Sequence, residues 1–129
     1  MNKILASLIM VCGCGSSIGG VYSGQTVSTA EGYYDLVDVV TAELYQNGNG
    51  TKLSGLWKGN LTNYSGTIEA IVKGNQLPEI KVNFTSDICK GTLIGSGTLD
   101  KVKLEATVVG DLSCADVPVT MSLSLDFIK

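Results

Sequence analysis

Apolar and polar residues alternate one for one along most of the chain after residue 33, and no other feature restricts the fold as strongly. The final segment gives the clearest run, in which Val119, Met121, Leu123, Leu125 and Phe127 alternate with Thr120, Ser122, Ser124 and Asp126. A period of two puts one face of a β-strand against a core and the other face in water. Because such one-sided burial is typical of antiparallel sheets, the pattern predicts an all-β domain.

The alternating runs and the turn signals between them predict seven strands, at 36–46, 52–61, 65–73, 79–86, 91–98, 102–109 and 118–127. Asn47-Gly48-Asn49-Gly50 is the strongest turn signal, since Asn-Gly accepts the positive φ of a tight hairpin. Short strands at even spacing are typical of barrels and sandwiches. We expect a single antiparallel meander barrel of about seven to eight strands over residues 33–129, because closure leaves no exposed edge. An open β-sandwich is the alternative.

The segment 28–46 also carries a helical signal. Its first four residues, Ser-Thr-Ala-Glu, fit a capping box, and apolar residues recur after them at helical spacing. Against a helix, several residues in 37–41 are β-branched, and the Asn-Gly hairpin requires a strand before it. We therefore predict a strand here, preceded by a short helical turn at 29–34.

The first residues are typical of a signal peptide. Lys3 supplies a positive charge, and a short apolar run follows from Ile4 to Val11. Since a bilayer span needs about 20 residues, the run is too short to cross a membrane but suits a secretory signal over residues 1–13. A buried first strand or helix is the alternative.

The residues Val11-Cys12-Gly13-Cys14 resemble the lipobox of bacterial lipoproteins. This resemblance implies cleavage before Cys14 and attachment of acyl chains such as palmitate to that cysteine. The same residues also allow a register in which Cys12 is modified, which fits less well because bulky Val11 would precede the cut. The resemblance implies that the protein resides in the cell envelope. Gly15, where an aspartate would imply inner-membrane retention, implies an outer-membrane anchor, with the domain facing the periplasm or the cell surface.

Residues 14–32 are rich in Gly, Ser and Thr and carry few large apolar side chains. Such composition predicts a flexible lipidated tether, and about 18 residues of this kind reach on the order of 20–25 Å. The alternative is an ordered edge strand from Val21 to Val27.

The chain has four cysteines, of which Cys12 would be removed with the signal peptide and Cys14 would be acylated. Cys89 and Cys114 are then left as a pair in a domain that we expect to be exported. Oxidising compartments favour a disulfide between them. Two buried free thiols or a metal-binding pair are the alternatives, although the chain contains no histidine to complete a metal site.

The composition argues against several classes of function. The chain contains no histidine or arginine, so the usual general base and the bidentate phosphate ligand are absent. A sequence pI near 4.7 argues against nucleic-acid binding. We expect no enzyme activity, catalytic residue, cofactor or metal site. The scattered carboxylates are interpreted as solvated surface charge: Glu31, Asp35, Asp38, Glu43, Glu69, Glu79, Asp87 and Glu105. A calcium site from Asp35 and Asp38 with Asn47 and Asn49 lacks the spacing of known calcium loops.

Residues 46–57, from the Asn-Gly turn to Gly55-Leu56-Trp57, resemble the hairpins of calycin-type meander barrels. The resemblance implies a small barrel, with Trp57 either on its floor or in an ordinary core. Lys73, Lys81, Lys101 and Lys103 are expected on one outer face, where they serve solubility or attract an acidic partner or lipid headgroups.

We therefore expect a non-catalytic protein-interaction or inhibitor module, tethered to a membrane through Cys14. The alternative is a carrier that binds a small apolar ligand inside a calycin-like barrel. The sequence does not assign the protein partner, the ligand or the ligand-binding residues.

Overall fold

The computed structural model describes residues 18–30, 32 and 35–129, and these residues form eight strands. The strands are β1 (Gly20–Ala30), β2 (Leu36–Gln46), β3 (Lys52–Gly59), β4 (Ser65–Lys73), β5 (Gln76–Thr85), β6 (Cys89–Asp100), β7 (Lys103–Cys114) and β8 (Val117–Ile128). In the described part of the chain, no helix is long and apolar enough to cross a bilayer.

The eight strands form one closed barrel of meander topology. Each strand pairs antiparallel with the next in sequence, and β1 pairs with β8, with Ser23 opposite Ile128 and Ala30 opposite Met121. The all-β antiparallel barrel is therefore confirmed, and the open sandwich is wrong. The closed eight-stranded barrel is consistent with the resemblance to calycin-type domains.

The prediction of a flexible tether over 14–32 is wrong for residues 20–30, which form β1. The alternative strand from Val21 to Val27 lies within it. The barrel therefore begins at Gly20 rather than at residue 33. The helical turn predicted at 29–34 is wrong for Thr29 and Ala30, which belong to the same strand, and residues 31, 33 and 34 lie outside the described part.

The barrel interior is filled by side chains from all eight strands. Met121, Leu123, Leu125 and Phe127 of β8 are buried, as the alternation predicted, whereas Val119 on the same face is half-buried. Tyr22 of β1, Leu44 of β2 and Ile80 of β5 are also fully buried. Trp57 belongs to this core, so the core interpretation of that residue is confirmed.

Gly66 lets the Trp57 side chain cross from β3 to β5. A Cβ atom at Gly66 would lie 1.7 Å from the Asn83 carbonyl oxygen and 3.0 Å from Trp57 Nε1. Without that atom, the indole N–H of Trp57 donates to the Asn83 carbonyl over 3.2 Å. This hydrogen bond satisfies the one polar atom of the indole inside the core.

The barrel has two chemically different ends. The mouth end is where β1, β3, β5 and β7 finish and where β2, β4, β6 and β8 begin. The lysine end is the opposite one, where the chain enters β1 and leaves β8. It carries the 47–51 loop, the Gly74-Asn75 turn and the Lys101-Val102 turn.

The hairpin predicted at residues 47–50 is present, but its geometry is not that of a two-residue turn. Five residues separate β2 from β3, Gly50 N–H donates to the Asn47 carbonyl over 3.0 Å, and Gly50 has a φ of 74°. A two-residue turn with positive φ at both positions lies instead between β7 and β8, where Ala115 and Asp116 have φ values of 51° and 69°. Positive φ at both positions is the pattern of a type I′ turn, here formed without asparagine or glycine.

Replacing Ala115 with asparagine should raise the free energy of unfolding by about 1 kcal/mol, because asparagine adopts the left-handed region more readily than alanine. Urea unfolding would measure this gain. Ser113→Asn, on the neighbouring exposed and extended position, is the matched control and should have no such effect. An unchanged or lower stability for Ala115→Asn would contradict the strained-turn interpretation.

Candidate functional site

A largely apolar cavity of about 360 Å³ opens at the mouth end of the barrel. Its walls include Leu36, Phe84, Leu112 and Met121, and Ile88 stands at its rim with 66% of its surface exposed. This volume falls within the range of small-molecule sites and of pockets that accept single side chains. The filled core below limits a ligand to the mouth itself.

The rings of Tyr64 and Phe84 form the floor of this cavity, and Trp57 packs against Phe84. The centroids of Tyr64 and Phe84 are 4.6 Å apart in an edge-on arrangement, and those of Phe84 and Trp57 are 5.9 Å apart. Such pairs hold each other in place beyond what burial alone provides. The floor is therefore a rigid apolar surface, of which Tyr64 and Phe84 face the cavity.

The disulfide between Cys89 and Cys114 borders the cavity and confirms the predicted pairing. The two residues lie directly opposite each other at the mouth end of β6 and β7. The Cys89 N–H donates to Ser86 Oγ over 3.2 Å, and the Ala115 N–H donates to the Ile88 carbonyl over 2.9 Å. These bonds hold the 86–88 loop against the Ala115-Asp116 turn, so both loops at this side of the mouth are fixed.

Asp38 was interpreted from the sequence as a solvated surface charge, and this interpretation is wrong. Its side chain points into the barrel with 1% exposed. Oδ1 accepts a hydrogen bond from the Leu61 N–H over 2.8 Å, and Oδ2 accepts one from the Thr62 hydroxyl. The carboxylate thus holds the 60–64 loop at the mouth. Asp38 lies two residues before Val40 and so shares the buried face of β2 with Val40, Ala42 and Leu44. That alternation could have predicted an inward side chain.

Gly59 makes room for this carboxylate. A Cβ atom there would lie 2.0 Å from Asp38 Oδ2 and 2.6 Å from Thr62 Oγ1. Because Gly59 has no side chain, the Asp38 carboxylate can occupy this space and accept its hydrogen bonds from the 60–64 loop.

Burial raises the pKa of Tyr64 above its usual value, and the Asp38 carboxylate raises it further. Burial likewise raises the pKa of Tyr22, whose hydroxyl donates to the Ile18 carbonyl near the lysine end. Both phenols are therefore neutral at physiological pH, and Tyr64 offers an uncharged hydroxyl beside an apolar floor.

Stability should decline above pH 10. Unfolded tyrosines ionise near the usual pKa of 10.0, whereas folded Tyr22 and Tyr64 keep their protons to higher pH. Their contribution is therefore complete below pH 10.0 and is lost as the pH rises through the raised folded values. Urea unfolding on either side of pH 10 would measure the decline, and Tyr22→Phe should make it shallower. The same slope in parent and variant would contradict this assignment.

The charged residues at the rim of the mouth are mostly acidic. Asp35 precedes β2, Asp87 lies in the 86–88 loop and Asp116 in the turn before β8, and all three are exposed. Leu61 is the most exposed apolar side chain beside them, at 72%. Within the described residues, the nearest lysines in sequence to these loops are Lys58 and Lys90, on the outer wall. The mouth thus combines an apolar cavity with a negative rim.

The other residues considered from the sequence do not gather at this site. Cys14, the predicted lipidation position, lies outside the described residues. Asp35 and Asp38 are at the mouth end, whereas Asn47 and Asn49 are at the lysine end, so no calcium site joins them. Lys73, Lys101 and Lys103 lie at the lysine end rather than along one sheet face, and Lys81 is on the wall.

No set of three or more His, Cys, Asp or Glu side chains is placed to hold a metal ion among residues 18–30, 32 and 35–129. The cavity was not predictable from any one segment, because residues from two loops and six strands line it. Comparison of the chain with protein-family models, with curated proteins and with solved structures finds no match in any of the three.

Proposed function

We propose that this chain is a non-catalytic interaction module of the cell envelope, anchored by an acylated Cys14, whose mouth binds a partner protein. The partner would present an aliphatic or aromatic side chain next to a lysine or arginine. The observation that carries this proposal is the apolar cavity of about 360 Å³ beneath the acidic rim of Asp35, Asp87 and Asp116.

The anchor is supported by the order of features before the barrel. Lys3, the apolar run from Ile4 to Val11 and the lipobox-like Val11-Cys14 follow one another as in bacterial lipoproteins. Two or three acyl chains hold a protein firmly at a bilayer, since each buried methylene contributes about 0.8 kcal/mol. The disulfide supports an oxidising compartment. The residue after the cysteine, Gly15, favours the outer membrane.

Partner binding at the mouth is supported by complementarity. An apolar side chain entering the cavity would lie against Phe84, Leu112 and Met121, and a neighbouring cation would face the rim carboxylates. Apolar anchors that fill pockets provide most of the affinity at protein interfaces, and rim charges guide the encounter. The fixed loops around the cavity lower the entropy lost on binding.

A carrier of a small apolar ligand is the second candidate, and the cavity volume itself favours it. Because the interior below Phe84 and Met121 is packed, that ligand would sit in the mouth rather than deep in the barrel. Native mass spectrometry of the gently purified protein tests this candidate. A mass that leaves on denaturation would support the carrier, whereas the bare chain supports the interaction module.

The anchor is tested by Cys14→Ser. The parent protein should sediment with membranes, and the variant should appear in the soluble fraction or remain as uncleaved precursor. Cys12→Ser is the matched control and should leave the mature protein on the membrane. Membrane association and mass unchanged by Cys14→Ser would overturn the anchor.

The mouth is tested by placing a photo-crosslinking residue at Ile88 in the full chain, expressed in its envelope. Ile94, half exposed on the outer wall of β6, is the matched control. We expect a discrete adduct at position 88 and none at 94, and the crosslinked peptide should carry a basic residue beside an apolar one. Asp87→Lys with Asp116→Lys should abolish it. Equal crosslinking at both positions would overturn the mouth as the binding site.

A further inference from the structure

We infer that the lysine end of the barrel is a docking surface for an anionic lipid bilayer, so that the mouth faces away from the membrane. This inference rests on the proposed anchor at Cys14 and adds to it the orientation of the barrel. Three independent features support it: the charge of this end, the way the chain enters β1, and the short distance to Cys14.

Lysines gather at this end from four separate parts of the chain. Lys52 begins β3, Lys73 ends β4, Lys101 lies in the turn before β7, Lys103 begins β7, and Lys129 follows β8. Asp100 precedes the turn that holds Lys101, Lys103 contacts Glu105 over 3.8 Å in an exposed ion pair, and Glu69 and Glu79 line a surface pocket with Lys52 further along the wall. At the end itself, however, five lysines stand against Asp100 among the described residues. A positive end of this kind is attracted to anionic lipid, and each lysine near the surface strengthens binding about fivefold.

The chain entering β1 is held against the same end. The Tyr22 hydroxyl donates to the Ile18 carbonyl, and the Ile18 N–H donates to Gln46 Oε1 over 3.3 Å. Lys129 Nζ donates to the Gly19 carbonyl over 3.2 Å. Tyr22 is fully buried, so the path of the chain at Ile18 is fixed relative to the barrel.

These contacts leave little chain between the barrel and the acylated cysteine. Four Cα-to-Cα steps separate Cys14 from Ile18, and they span at most about 14 Å. Electrostatic attraction is screened over about 8 Å at physiological ionic strength, and a link of at most about 14 Å lets the lysines approach the headgroups to within that distance. A tether of 20–25 Å, as the composition predicted, would have allowed the barrel to rotate freely.

The opposite end has the opposite sign. Asp35, Asp87 and Asp116 are repelled by the same lipid surface, which adds to the orienting force. Strands of this length, tilted as in small barrels, separate the two ends by roughly 30 Å. The mouth is therefore presented to partners beyond the headgroup layer.

The test uses the chain from Cys14 onward, which contains all eight strands and the ladder that closes the barrel. Because Cys89 and Cys114 are joined, the Cys14 thiol can be coupled selectively to a maleimide lipid. The coupled protein is placed on vesicles of phosphatidylcholine, with or without phosphatidylglycerol. Lysine acetylation is then followed at each site by mass spectrometry.

We expect Lys52, Lys73, Lys101 and Lys103 to react several-fold more slowly on the vesicles that contain phosphatidylglycerol. Lys58 and Lys90, near the mouth end, should react at the same rate on both and serve as internal controls. Equal rates for the first four lysines, or equal slowing of Lys58 and Lys90, would overturn the inference.

Two matched double variants distinguish an effect of where the lysines lie from an effect of the total charge of the protein. Lys73→Gln with Lys101→Gln and Lys58→Gln with Lys90→Gln remove the same charge from opposite ends. The first pair should weaken binding of the uncoupled Cys14→Ser chain to phosphatidylglycerol vesicles about 25-fold, since two lysines are lost. The second pair should leave binding nearly unchanged, and equal weakening by both pairs would contradict a localised surface. Because the coupling is chemical, failure here is distinct from failure of acylation in the cell.

Discussion

Asp38→Ala should lower the free energy of unfolding by about 3 kcal/mol, the largest effect that we expect from removing a single polar side chain. The variant removes the acceptor of the Leu61 N–H and of the Thr62 hydroxyl, both at the mouth of the barrel. Hydrogen bonds to a charged group contribute about 1.5–3 kcal/mol each, and the donors left behind lose their partners. Urea unfolding followed by circular dichroism would measure the loss.

Glu43→Ala is the matched control, because Glu43 lies on the same strand as Asp38 but is exposed on the outer wall. Its effect should stay within about 0.5 kcal/mol. A loss at Asp38 no larger than that at Glu43 would contradict the role of the carboxylate. Limited proteolysis gives a second measure, since the 60–64 loop should be cut faster in Asp38→Ala than in the parent.

Removing the Cys89–Cys114 disulfide should lower the free energy of unfolding by about 3–4 kcal/mol. The bond closes a loop with a sequence separation of 25, and opening that loop restores entropy to the unfolded chain. The measurement compares urea midpoints of the parent with those of Cys89→Ser with Cys114→Ser, each with and without reductant.

The reductant serves as the internal control for this prediction. It should lower the midpoint of the parent to that of the double variant and should leave the variant itself unchanged. An oxidised parent no more stable than the variant would show that the disulfide adds nothing to stability. Because both cysteines border the cavity, the reduced protein should also bind a mouth ligand more weakly than the oxidised one.

The strands with large alternating apolar residues were predictable from the sequence, and 36–46 and 65–73 match β2 and β4 at both ends. β1 was predicted only as the alternative to a tether, because its inward positions include Gly24, Thr26 and Ser28. Thr26 and Ser28 are buried, yet their residue types are those of a linker. The pairing of β1 with both β2 and β8, rather than its own hydrophobicity, makes this segment a strand.

The candidate site was less accessible to sequence reasoning than the fold. The cysteine pair was predictable because only two cysteines remained in a domain that the sequence predicted to be exported. Asp38 was misassigned because its residue type was given more weight than its parity with Val40, Ala42 and Leu44 along the strand. The apolar cavity and the lysine end depend on the order of strands around the barrel, which brings residues from distant segments together.

Closure of the barrel also determines when folding can finish. Ser23 pairs with Ile128, so the first strand can gain its second neighbour only after residue 128 has been synthesised. Contacts between such distant residues form slowly, and an unpaired strand is open to aggregation while it waits. The composition of β1 lowers this hazard, because two glycines and few large apolar side chains make the strand less prone to pair with other chains. The small residues that make β1 resemble a linker in sequence therefore also lower the risk of aggregation while the barrel is still open.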